Sequence, residues 1–179
     1  MQRTALIVVD MVSSYEHADA DRLTRSVEST LPVMSKLISR AREEASLTVY
    51  VNDNYGHWNS DRHELLNTAL AGEHPRLVEP IAPRDEDLFV VKARHSIFYG
   101  TPLEYLLAQE GIERIVLVGQ VTEQCILYSA LDAYIRKLRV AVPRDAVAHI
   151  HEHLADASLE MMELNMSAEV CGGSDIAFA

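Results

Sequence analysis

The chain has 179 residues, 48% hydrophobic and 24% charged, enough apolar side chain for one globular domain spanning 1–179. Acidic residues outnumber basic ones 27 to 16, for a net charge of -11. A surface of that sign repels phosphate backbones and anionic lipid, which excludes nucleic acid and membrane as partners.

The start, M-Q-R-T-A-L-I-V-V-D, holds a short apolar run closed by an acid. It lacks the longer apolar core and cleavage site of a secretory signal, and no run in the chain is long enough to span a bilayer. A cytoplasmic protein is the expectation. The two cysteines, Cys125 and Cys171, form neither a disulfide framework nor a zinc motif.

Ala5–Val9 is continuously apolar and ends at Asp10, the pattern of a strand buried on both faces. An amphipathic segment runs from Asp19 or Asp21 to Ala45, with Leu31, Met34, Leu37, Ile38 and Ala41 on one face. Pro32 lies within it, so the helix is expected to begin or bend there. Leu47–Val51 is a second strand. The N-D-N-Y-G-H-W-N stretch that follows is polar, aromatic and Gly-containing, as functional loops are. Arg62–Ala71 reads as a short helix, Leu88–Val91 as a third strand ending at Lys92, and Pro102–Gln109 as a helix stopped by Gly111. Arg139–Val142 is a fifth strand, Glu152–Leu164 a last helix, and Ala168–Cys171 an edge strand.

Between these lies the stretch on which the reading turns. Ile115–Val118 is a β-branched, apolar strand broken by Gly119, and Thr122 is placed to cap a helix opening near Glu123. Ile126, Leu127, Ala130, Leu131, Ala133 and Tyr134 continue that helix at amphipathic spacing. Cys125 then sits in a first helical turn just beyond a strand, where free amides and the helix dipole should lower its thiol pKa.

Strands alternate with helices throughout. That pattern predicts a three-layer αβα, Rossmann-like α/β fold, with a mainly parallel sheet of five to six strands and helices on both faces. Such sheets bind ligands beyond the carboxyl ends of their strands, and Asp10, Lys92 and Cys125 all fall there.

The pieces A-L-I-V-V-D-M, V-V-K-A-R-H-S-I-F-Y-G-T-P-L and V-G-Q-V-T-E-Q-C, in that order, resemble the isochorismatase-like cysteine hydrolases, relatives of nicotinamidase and N-carbamoylsarcosine amidase. The resemblance covers Ala5 to about Val170. It implies a catalytic triad of Asp10, Lys92 and Cys125. It also implies a cis peptide at Gln120–Val121 and an oxyanion hole made by the amides of Val121 and Cys125. The activity implied is cleavage of a C–N bond in a small amide, ureido or carbamoyl compound through a thioester. A homodimer or homotetramer is implied as well.

Metal-binding nicotinamidases carry Asp-x-His and a further His after the second strand. Here Asp53 is followed by Asn54 and Tyr55, and His57, His63 and His74 stand at other spacings. The resemblance therefore points to the metal-free branch, with no cofactor. Tyr15, Asn54, Tyr55, Trp58 and Phe98 are candidate substrate-contacting residues, with His57 and Tyr99 beside them. His149, His151 and His153 alternate, and a solvated loop and a metal face both fit that pattern. Retention of Cys125 favours C–N hydrolysis over the vinyl-ether hydrolysis of the isochorismatase branch, where the cysteine is replaced. A redox role for Cys125, without a C-x-x-C partner, and a non-catalytic binding module on the same fold remain as alternatives.

Overall fold

The computed structural model describes residues 3–178; Met1, Gln2 and Ala179, at the limits of the expected 1–179 domain, lie outside the described residues. The strands are β1 (Thr4–Val9), β2 (Leu47–Asp53), β3 (Leu88–Lys92), β4 (Arg114–Gln120), β5 (Arg139–Pro143), β6 (Val147–Ala148) and β7 (Glu169–Cys171). The helices are α1 (Ala20–Glu43), α2 (Arg62–Ala71), α3 (Leu103–Gln109), α4 (Leu127–Ile135) and α5 (Glu152–Met166). The strands form one sheet in the order β3-β2-β1-β4-β5-β7, with β6 pairing β4 beyond the end of β5. Every pairing is parallel.

This is the predicted three-layer architecture, with seven strands instead of five to six. The additional one, β6, is two residues long, too short for any periodicity to reveal.

The central strands are apolar at every position because both faces are covered. Leu6, Val8, Val116 and Val118 point to the layer containing α1. Ala5, Ile7, Val9, Ile115 and Leu117 point to the layer of α3, α4 and α5. Truncating one of these, such as Ile7→Ala, should cost about 2–5 kcal/mol, since close-packed neighbours cannot collapse into the void.

Helix α1 does not begin at Pro32 but runs through it. Leu23 and Val27 before the proline, and Met34, Leu37, Ile38 and Ala41 after it, are all buried, and that shared packing outweighs one missing backbone bond. Ile126 just before α4, and Ala130 and Ala133 on it, are buried, whereas Leu131 and Tyr134 are 42% and 48% exposed. The helix is apolar on more of its surface than the sheet covers. Among the described residues no helix is long and apolar enough to cross a membrane.

Candidate active site

Three strands deliver the central groups. Asp10 follows β1 with a left-handed backbone, φ 55°, and its N–H donates to the Val51 carbonyl at 3.0 Å. Lys92 ends β3, two strands away, and Asp53 at the end of β2 lies between them in register with Lys92.

Strand β4 continues through Gly119 instead of breaking there. Gly119 has φ +118°, and a Cβ would run into the Val9 carbonyl, so the glycine allows β4 to stay against β1 as it reaches the site.

Beyond β4 the Gln120–Val121 peptide is cis. A π-helical turn, Thr122–Ile126, then precedes α4. The N–H groups of Gln124 and Ile126 both donate to the Val121 carbonyl, at 3.0 and 3.1 Å. Thr122 does not cap the helix. Its hydroxyl donates to the Ala148 carbonyl at 2.9 Å, tying the turn to β6, a partner far away in sequence. Gln120 is held too: its Nε2 donates to the Asp10 carbonyl at 2.6 Å and its Oε1 accepts from the Tyr15 hydroxyl at 3.4 Å.

The side chains of Asp10, Lys92 and Cys125 come together. Lys92 Nζ lies 2.8 Å from Asp10 Oδ2, 3.5 Å from Asp53 Oδ2 and 3.7 Å from Cys125 Sγ. Asp10 Oδ1 accepts the Asp53 N–H at 2.7 Å. The thiol and the Asp10 carboxylate share the Lys92 ammonium and line the same cavity. The residues themselves are only 7%, 2% and 8% exposed, so the charges act on one another with little screening by water.

Burial raises the Asp10 pKa even though Lys92 beside it pulls the other way. Burial alone would lower Lys92, but Asp10 and Cys125 carry it above its ordinary value. The thiol does not have the lowered pKa expected from a helix start. Burial, and then the Asp10 charge, push it up against the opposing pull of Lys92 and the Val121 N–H. The reason is that Cys125 lies in a closed turn beneath the surface, where loss of water outweighs the backbone dipoles. Both acids therefore have raised pKa values, with the Lys92 ammonium close to each.

A cavity of about 260 Å³ opens over these groups, with Tyr55, His95, Gln120, Val121 and Gln124 among its walls. The candidate contact residues divide. Tyr55 lines the cavity and donates its hydroxyl to the Val12 carbonyl at 3.2 Å. Asn54 does not line it; its Oδ1 accepts from the Gly56 N–H at 3.0 Å, which shapes the loop. Trp58 is 82% exposed and borders only an outer groove with Arg94 and His95, because its short loop points it away from the sheet. Tyr15 is buried beneath the site, supporting Gln120. Phe98 packs under α4, with the Arg136 guanidinium 4.8 Å from its ring centroid, and Tyr99 is exposed. Neither Tyr15 nor Phe98 is a wall residue. His57 lines the adjoining cleft instead.

Two of the alternating histidines have separate polar partners, and His153 packs edge-on against His151. His149 Nδ1 lies 3.2 Å from Ser26 Oγ, and His151 sits between Glu123 and Arg22. Among the described residues no three His, Cys, Asp or Glu side chains are grouped to hold a metal ion.

Sequence reasoning missed His95, whose Nδ1 is 3.7 Å from Cys125 Sγ, and Asp53 as a direct neighbour of Lys92. For His95 the only signal was its place three residues beyond Lys92. For Asp53 it was the end of a strand.

The chain is similar in sequence and fold to known proteins. The Isochorismatase domain family matches residues 4–175. The uncharacterized isochorismatase family protein YaaI of Bacillus subtilis is 31% identical over 93% of this chain and 92% of its own length. Maleamate amidohydrolase of Pseudomonas putida is 26% identical, over 88% of this chain and 78% of its own. The crystal structure of N-carbamoylsarcosine amidase from Thermoplasma acidophilum superposes with a TM-score of 0.76 at 28% identity, over 98% of this chain and 99% of that one. In sequence and in fold, this chain belongs to the isochorismatase family.

Proposed function

We propose that the protein hydrolyses a C–N bond of a small amide, ureido or carbamoyl compound, with Cys125 as nucleophile. The observation that carries this is the buried cluster in which one lysine ammonium lies 3.7 Å from a thiol and 2.8 Å from a carboxylate, beneath an open cavity that both acids line. Family membership and the amidohydrolase names among the relatives support the bond type.

In the proposed reaction the thiol proton passes to Asp10 as sulfur attacks the carbonyl carbon. The amides of Val121 and Cys125 hold the oxyanion. As the tetrahedral species collapses, the C–N bond breaks and the departing amine takes the proton from Asp10, leaving a thioester. Water then gives a proton to Asp10 and attacks the thioester. The sulfur leaves and is reprotonated from the same carboxyl. Lys92 compensates the negative charge as it moves between oxygen and sulfur.

Ammonia release across a panel of small amide, ureido and carbamoyl compounds tests this. The Cys125→Ala protein should keep the wild-type circular dichroism and lose roughly four powers of ten or more in turnover. Unchanged turnover in that variant would remove the mechanism. We also propose a homodimer or homotetramer, which the half-exposed Tyr128, Leu131 and Tyr134 on α4 support. A monomeric mass by light scattering at micromolar concentration would dismiss it.

A further inference from the structure

The walls around the reacting groups are unusually one-sided in charge. Asp10, Asp19 and Asp53 line the catalytic cavity, and no arginine or lysine does so among the described residues. The nearest ammonium, Lys92, has no exposed side chain and is already shared by Asp10 and Asp53. It has nothing to offer a second anion.

The cavity adjoins a deeper cleft of about 370 Å³, with which it shares Ser13, His17 and Tyr55. Val12, Leu65 and Ala69 give this cleft an apolar floor, and Glu16 and Glu64 stand on its rim. Among the described residues neither glutamate is in an ion pair. Its only basic side chains are the imidazoles of His17 and His57. Arg94 borders the shallow outer groove beside Trp58 and lines neither compartment.

We infer that the substrate is a small amide with an apolar middle and a cationic distal end, an amine held at the Glu16 and Glu64 rim of this cleft, and that amides with a distal carboxylate are rejected. The inference rests on the proposed amide hydrolysis and adds the charge class of the substrate. A carboxylate entering this space would meet like charge on both compartments with no guanidinium or ammonium to pair it, which is how a site rejects the wrong ligand. An ammonium would instead neutralise two carboxylates that are in no ion pair among the described residues, while its methylene stem covers Val12 and Leu65.

The test uses three amides of similar length: δ-aminovaleramide, hexanamide and glutaramate, with cationic, neutral and anionic distal ends. Binding of each to the Cys125→Ala protein is measured by titration calorimetry, and turnover of each by the wild type. Affinity should fall in the order cation, neutral, anion, with about tenfold or more between the first and last. The spread should narrow as sodium chloride is raised, because the rim carboxylates are exposed. In wild type the same order should appear mainly in KM. The double variant Glu16→Gln, Glu64→Gln should bring the affinity for δ-aminovaleramide down to that for hexanamide. Equal or tighter binding of glutaramate, no binding of any of the three, or a cation preference that survives the double variant would each overturn the inference. Failure of the proposed hydrolysis is distinguishable: none of the amides would be turned over, while the binding order in Cys125→Ala would still hold.

Discussion

Asp87 and Asp10 are both buried carboxylates, 8% and 7% exposed, each beside a basic side chain, and they sit at opposite ends of the same sheet. Asp87 precedes β3 and meets Arg42 near the end of α1; Asp10 follows β1 and meets Lys92 at the end of β3. Around Asp87 the partners are all within the fold. Oδ1 accepts from Arg42 Nε at 3.2 Å; Oδ2 accepts from Arg42 Nη2 and, at 2.7 Å, from the Arg84 N–H. Arg42 also donates to the Tyr50 hydroxyl, which donates in turn to the Ile81 carbonyl. Such a planar fork fixes geometry.

Around Asp10 the chemistry differs. Lysine presents a compact charge in place of a planar fork, and that one ammonium is spread over Asp10, Asp53 and Cys125. The cavity above Asp10 is lined by the thiol as well. Burial of an ion pair is common to both places. A thiol sharing the same cation distinguishes the second.

Neutralising the cation of each pair breaks the comparison most sharply. Lys92→Met should lower turnover by roughly two to four powers of ten and raise the thiol pKa, read from the pH dependence of Cys125 alkylation. Arg42→Met should cost about 3–5 kcal/mol in stability, because it strands a buried carboxylate, while the folded fraction keeps its turnover. Denaturant titration with activity per folded molecule separates the two. Equal losses of turnover in both variants would erase the distinction.

Asp53→Asn is a gentler version. It keeps the N–H that serves Asp10 and removes one of the two carboxylates on Lys92. Turnover should drop by about tenfold, with the alkylation profile shifted to lower pH, since less negative charge surrounds the thiol.

The pH dependence sharpens the contrast further. The Asp10 pKa is raised in the folded protein, so the acid limb of kcat/KM should lie above the ordinary aspartate value of about 3.9. By linkage, a raised folded pKa favours the fold below the unfolded value, and this contribution is lost as pH rises through the folded one. Wild type should therefore lose stability relative to Asp10→Asn as pH rises through that window, measured by thermal unfolding at several pH values. A stability difference independent of pH would contradict the raised value.

The smallest expected effect is that of chelation. Asp53 Oδ1 accepts the Tyr55 N–H at 2.8 Å and Oδ2 faces Lys92, so this carboxylate is engaged within the protein. Turnover should be unchanged after dialysis against EDTA, and a loss restored by zinc, iron or manganese would count against that.

Much of this is legible in the sequence. The apolar runs at Ala5–Val9 and Ile115–Val118 read directly as doubly covered strands, because burial on both faces demands an apolar residue at every position. Strand–helix alternation then placed Asp10, Lys92 and Cys125 at one edge of a parallel sheet. Local pattern could not tell which loop residues face inward. Tyr55 and Trp58 lie three positions apart in one aromatic loop, yet one lines the cavity and the other is in solvent. Thr122 carries an ordinary capping signature and spends its hydroxyl on Ala148 instead.

The sequence by itself determined the layers, the strand ends and the residue types that meet there, since those follow from short-range periodicity and the rules of parallel sheets. Only the tertiary structure decided the electrostatics. Whether a helix start lowers a thiol pKa or burial raises it depends on how much water the assembled fold removes. Whether a buried carboxylate meets an arginine fork or a lysine shared with a thiol depends on which distant segments close around it. Both are sums over contacts made by residues far apart in the chain, and such sums exist only after the chain has closed around them.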